Sequence, residues 1–150
     1  MKWFIPPVLT GCCVALMVLL DRALPILTVF SRDWRPAGIG LLTTGSLLIA
    51  STGLLLLRRD TELHTFGQPR TLLTDGPFRF SRNPIYLGFL LSLSGFWVYL
   101  GSLSPLLGCP IFFFVAERWY IPFEEAQLDR KFGPAYAVYR DRVGRWLWFL

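Results

Sequence analysis

Apolar residues in this chain come in long uninterrupted runs, neither alternating as in a strand nor recurring every three to four positions as in a soluble helix. Four runs approach the roughly 20 residues that carry a helix across about 30 Å of hydrocarbon. Trp3 to Leu20 holds no charge and stops at Asp21 and Arg22. Lys2 precedes it as in a leader, but Pro6 and Pro7 interrupt the run early and no small-x-small site follows Leu20, so it is expected to be an anchor. Ala37 to Leu57 is 21 residues without a charge, closed by Arg58, Arg59 and Asp60. The last two runs, about 85–103 and 104–121, have only Gly101 to Pro105 between them and predict a tight helical hairpin. The fourth reaches Ile121 if Glu117 and Arg118 face protein or the interface. The pattern predicts an all-α integral membrane bundle of about four transmembrane helices, with a polar loop over 58–83 and a polar tail over 122–147.

Within the tail, Pro122 suits a first helical position, Glu124 and Glu125 then fall in the first turn, and Leu128 and Phe132 continue an apolar face. Gly133 and Pro134 break or restart that helix. Tyr136, Tyr139 and Val143 then recur at three and four, with Arg140, Arg142 and Arg145 interleaved, which predicts a C-terminal amphipathic helix resting on the membrane or the bundle. No repeat, low-complexity stretch or long linker divides the chain, so a single domain over 1–150 is expected.

Composition agrees with the pattern. The chain is 53% hydrophobic and 17% charged, with mean hydropathy +0.47, too apolar for an ordinary soluble domain. Lys2, the 58–82 loop and the tail from Arg118 carry twelve basic residues, against three (Arg22, Arg32, Arg35) between the first two runs. The positive-inside rule therefore puts both termini and the long loop in the cytoplasm. Topology and contact with anionic lipid account for the net charge of +5, which leaves nothing that asks for nucleic acid. Cys12, Cys13 and Cys109 lie inside apolar runs without metal-ligand spacing and read as packing residues, so no metal is expected.

The candidate chemistry lies in GPFRFSRNPIYLG, Gly76 to Gly88. Gly76 and Pro77 mark a turn, and Pro84 pushes Asn83 toward extended geometry, so a helix should start near Pro84. Its N-terminus offers unpaired N–H groups and a positive dipole end, with Arg79 and Arg82 beside it: an anion site for a carboxylate or phosphate. The alternative is that the arginines touch lipid headgroups and Asn83 caps a helix.

Ser81 to Gly88, SRNPIYLG, resembles the R-H/N-P-x-Y-x-G motif of the membrane methyltransferases that include isoprenylcysteine carboxyl methyltransferase and phosphatidylethanolamine N-methyltransferase. Thr61 to Phe78 is similar to the loop that leads into this motif in bacterial members. Glu117 to Leu147 is similar to the family's E-R, E-E, F-G-x-x-Y-x-x-Y and V-x-R-W pattern. The resemblance covers about the last 90 residues. It implies an enzyme of a bacterial inner membrane that uses S-adenosylmethionine, held between the cytoplasmic ends of the hairpin and the C-terminal helix, to methylate a lipophilic acceptor: a carboxylate, amine, thiol or phenol of a lipid or small apolar molecule. Glu124 and Glu125 match the paired glutamates and would hold amino or ribose groups of the cofactor. Arg82 would meet its carboxylate or orient an anionic acceptor, and Tyr86 would hydrogen-bond to it or face the sulfonium. The cofactor set so implied is Arg82, Pro84, Tyr86, Gly88, Glu124 and Glu125, with Gly88 allowing close approach of the adenosine or of another helix. Tyr136, Tyr139 and Arg145 read as supporting residues. The implied catalytic set is Arg82, Asn83, Tyr86 and His64. Asn83 stands where eukaryotic members often have histidine and cannot take a proton near neutral pH. His64, in the loop before the motif, has two readings: polar contacts to the acceptor, or simple solvation. Two rival readings remain: an NADPH-dependent reductase, because the F-G-x-x-Y-x-x-Y tail also resembles the end of membrane sterol reductases, and a non-catalytic membrane adaptor.

Overall fold

The computed structural model describes residues 6–59 and 71–147. Helix α1 spans Pro6–Ala23, α2 Arg35–Arg58 and α3 Pro84–Leu100. Helix α4 (Gly108–Val115) runs through a π-turn at Ala116–Tyr120 into α5 (Ile121–Phe132), and α6 is Pro134–Arg142. Prolines start these helices where no intrahelical N–H is required: Pro6 and Pro7 in α1, Pro36 in α2, Pro84 in α3, Pro134 in α6. Three stretches, Pro6–Ala23, Arg32–Arg58 and Ser104–Phe132, are long and apolar enough to cross a membrane, and the 17-residue α3 is apolar but shorter. Large side chains such as Leu47 and Phe114 point outward, 69% and 58% exposed, as suits a bundle whose outer solvent is hydrocarbon.

The centre of the bundle is α3. Its Gly88 and Gly95 face Gly45 and Gly38 of α2 in antiparallel register. Residues seven apart on a helix stay within about 20° of one face, so each glycine pair extends a smooth stripe and lets the two backbones touch. A Cβ at Gly95 would stand 2.5 Å from the Leu42 nitrogen and 2.6 Å from the Gly38 oxygen. On its other side α3 packs with α1 and α4 around Cys13, Met17, Leu93, Cys109 and Phe112. Cys13 and Cys109 are thus buried in the core, while Cys12 is exposed.

At the end away from the candidate chemistry, two connections clasp each other. Gly101 closes α3 in the left-handed region, φ 92°, and its carbonyl accepts from the Val29 and Phe30 N–H groups at 2.8 and 3.0 Å. Ser102 donates to Asp21 at 2.6 Å, which fixes the end of α1 to the α3–α4 turn.

One expected boundary is moved. Instead of a span ending near 121 and a new helix starting at Pro122, the helix continues. Proline lacks an N–H and crowds the carbonyl four residues back, and the wider turn before it, where the Ile121 N–H reaches the Ala116 oxygen, makes room.

Candidate functional site

The opposite end gathers the C-terminus of α2, the N-terminus of α3, α5, α6 and the segment 143–147. Two associations hold it together. Tyr136, Tyr139 and Val143 of the α6 region pack on Leu72 and Phe78 before α3 and on Leu128 and Phe132 of α5, so the amphipathic helix rests on α5 and on the segment that leads into α3. The segment after α6 then lies along the start of α3. The Arg82 N–H donates to the Gly144 carbonyl at 3.0 Å, and the Asn83 Nδ2 and Ser81 hydroxyl donate to the Arg145 carbonyl at 3.1 and 3.4 Å. Asn83 therefore spends its side chain on this strap and makes no capping bond to α3.

The strap delivers Arg145 to two carboxylates. Its Nη2 and Nε donate to Glu125 at 2.6 and 3.3 Å, and its Nη1 bonds to Glu117. Trp146 adds an indole N–H to the other oxygen of Glu117 at 2.7 Å and stacks on Phe113 at 5.0 Å. Glu117 and Glu125 are eight residues apart, and in an uninterrupted α-helix eight residues overshoot two turns by about 80°. The π-turn fits one more residue into a turn and takes up that excess, so both carboxylates reach one guanidinium. Hydrogen bonding to Glu125 is the main influence that holds the Arg145 guanidinium above its usual range.

Arg82 approaches Glu125 from the α3 side, 3.2 Å between Nη2 and Oε1, with the two side chains 10% and 13% exposed. Its Nε and Nη1 are buried without a hydrogen-bond partner among the described residues. Glu125 is thus shared by two arginines, whereas its neighbour Glu124 turns to α3, where Tyr86 donates to it at 2.8 Å. The Tyr86 ring lies nearly parallel to Tyr120, centroids 6.2 Å apart. Two adjacent glutamates on one helix point to different neighbours because successive residues are rotated by about 100°.

The structure brings together Arg82, Asn83, Tyr86, Glu124 and Glu125, and puts Pro84 at the first turn of α3. Gly88 faces α2, where a Cβ would meet Ile49 Cγ1 at 2.6 Å and the Gly45 oxygen at 2.8 Å; helix packing accounts for its identity. Arg79 is exposed, so the two arginines of the motif part company: one faces the surface and one turns inward. His64 lies outside the described residues. Arg145 supports the site, in keeping with its reading from the sequence, whereas Glu117 and Trp146 were not singled out there, although the E-R and V-x-R-W elements mark their positions. Among the described residues, no group of three or more His, Cys, Asp and Glu is placed to hold a metal ion.

Burial pushes the Tyr136 phenol up to about 12, helped by the negative charge of Glu125, and burial likewise raises Tyr139. An unfolded tyrosine ionises near pH 10, so between about pH 10 and 12 the unfolded chain binds fewer protons than the folded one and stability falls as pH rises. The thermal midpoint is expected to decline through that window, and Tyr136→Phe to flatten the decline. An unchanged slope in the variant would remove Tyr136 as its source.

Comparison with known proteins bears on the family. A model of the phospholipid methyltransferase family matches residues 34–135, from the start of α2 to the start of α6. An uncharacterized protein of Haemophilus influenzae is 40% identical over 63 residues, which is 42% of this chain and 100% of that protein. No solved structure matches. The family match spans well over half of the chain and includes both Arg82–Gly88 and the paired glutamates, so this integral membrane protein belongs to the phospholipid methyltransferase family of membrane methyltransferases.

Proposed function

We propose that the chain, acting as a single domain, transfers a methyl group from S-adenosylmethionine to a lipophilic acceptor at the cytoplasmic face of a bacterial inner membrane, with both termini cytoplasmic. The observation that carries the reading is the meeting of Arg82 and Tyr86 with Glu124 and Glu125 at the end of the apolar bundle. A zwitterionic amino acid fits such a place. Arg82 keeps two buried donors for a carboxylate, Glu124 supplies a carboxylate within reach of an ammonium or ribose hydroxyls, and the Tyr86 and Tyr120 rings offer aromatic faces to a cation. When bound, S-adenosylmethionine supplies a methyl group on a positively charged sulfur, which a nucleophile can displace without help from a metal.

What the protein must add is position and exclusion of water. Glu125, held by Arg82 and Arg145, sets the place of Arg82 and is not itself available as a ligand while both pairs persist. Trp146 and Phe113 close the side toward α4. The apolar faces of the helices give a lipid-borne acceptor a lateral approach, which suits a carboxylate, amine, thiol or phenol carried on an apolar body.

Calorimetric titration of the purified protein in nanodiscs, with S-adenosylmethionine and separately with NADPH, tests the reading. Saturable binding of S-adenosylmethionine alone is expected, and Glu124→Gln together with Tyr86→Phe should weaken it at least tenfold. Binding of NADPH alone would replace the reading with a reductase; binding of neither by folded protein would make it an adaptor.

A further inference from the structure

Two buried polar groups at this end of the molecule have no hydrogen-bond partner among the described residues. One is the Arg82 guanidinium, through Nε and Nη1; the other is the hydroxyl of Tyr136, a residue only 1% exposed. A buried hydroxyl left unsatisfied is destabilising, and phenylalanine would fill the same niche without that cost. Its neighbour shows that the fold can satisfy a tyrosine here: Tyr139 donates to the Phe78 carbonyl at 2.7 Å. That bond pins the 76–82 turn to α6, and the one from the Arg82 N–H to Gly144 pins it to the segment just after, so Arg82 and Tyr136 belong to the same junction. The charges of Arg82, Arg140, Arg145 and Glu125 all act on the Tyr136 phenol.

The chemistry of a missing partner follows from what is offered. A guanidinium can only donate, and a phenol held up to about 12 by burial and Glu125 remains a donor at neutral pH. The partner must therefore be an acceptor. Arg82 and Arg145 already balance Glu117 and Glu125, so the junction tolerates one added negative charge far better than the two of a phosphate dianion.

We propose that Tyr136 is a ligand-contacting residue, its hydroxyl joining the unused nitrogens of Arg82 around the carboxylate of the bound cofactor. This rests on the S-adenosylmethionine reading above. It enlarges the site to α6, beyond the motif of α3 and the paired glutamates, and Tyr136 lies outside the matched residues 34–135.

The test compares S-adenosylmethionine with its decarboxylated analogue on the full chain in nanodiscs, for wild type and Tyr136→Phe, alongside thermal unfolding without ligand. Wild type should prefer the carboxylated ligand by more than tenfold. Tyr136→Phe should weaken S-adenosylmethionine about tenfold, leave the decarboxylated analogue unchanged, and keep or raise the midpoint without ligand, because the deleted hydroxyl had no partner to lose. Equal affinity of wild type for the two ligands would overturn the proposal, as would an unchanged S-adenosylmethionine affinity in the variant or an equal loss for both ligands. A lowered ligand-free midpoint with unchanged affinity would assign the hydroxyl to an internal water and also overturn it. If folded wild type bound neither ligand, the methyltransferase reading itself would fall, an outcome distinct from all of these.

Discussion

Arg145→Met is expected to be among the most damaging single changes in the chain. It strips Glu117 of its ion pair and leaves Glu125 with Arg82 alone, in a place where the two carboxylates are 25% and 13% exposed. Removing one partner of a buried pair costs about 3–5 kcal/mol, and the loss here should fall at the low end because Arg145 is 31% exposed and water can screen part of it. The damage reaches the site through geometry. Without the guanidinium the strap loses its anchor, the bonds from Arg82, Asn83 and Ser81 to residues 144 and 145 loosen, and Arg82 is no longer held against Glu125. A lower thermal midpoint in detergent and loss of S-adenosylmethionine binding should appear together, and Arg145→Lys should recover part of the midpoint but little of the binding, since an ammonium cannot bridge two carboxylates in a planar fork. A variant as stable as wild type would show that the strap is held by its backbone bonds alone.

Gly95→Val should be worse for the fold. The added Cβ would meet main-chain atoms of α2, the Leu42 nitrogen and the Gly38 oxygen, which cannot move aside as a flexible side chain can. Overpacking costs about 1–3 kcal/mol even where side chains can shift, so contact against backbone should exceed that range and push α2 from α3. Because α3 begins with the motif at Pro84, the separation also displaces Tyr86 from Glu124. The expected result is aggregation on size exclusion or a strongly lowered midpoint. Gly40→Ala provides the contrast: a Cβ there meets nothing within 4 Å, and alanine is the better helix former, so its midpoint should equal or exceed that of wild type. If Gly95→Val and Gly40→Ala behaved alike, the glycine stripe would not be the α2–α3 contact.

The paired glutamates show where sequence reasoning reaches its end. Glu124 and Glu125 were equivalent as letters beside each other, and the resemblance assigned them a shared role. In the folded chain one is bound to Tyr86 and the other is locked between two arginines, so replacing Glu125 with glutamine should cost stability as well as binding. Arg79 and Arg82 diverge in the same way, one to the surface and one to the interior. The glycines seven apart in α2 and in α3 were not singled out in the sequence, and only with the two helices side by side do they become a contact.

The run lengths of apolar residues determined by themselves that the chain is helical and of membrane-spanning character, because hydrocarbon leaves no other way to satisfy a backbone of this composition. The order of R-N-P-x-Y-x-G and E-E, likewise a one-dimensional fact, determined the family. Which charges meet was decided only by tertiary structure. Residue 145 is 63 positions from Arg82, and its pairing depends on a π-turn that rotates Glu117 into line with Glu125 and on a strap whose course is set by backbone bonds to the start of α3. Periodicity within a segment carries no information about the angle between segments, and ion pairs across 20 to 43 residues exist only once close packing has fixed that angle.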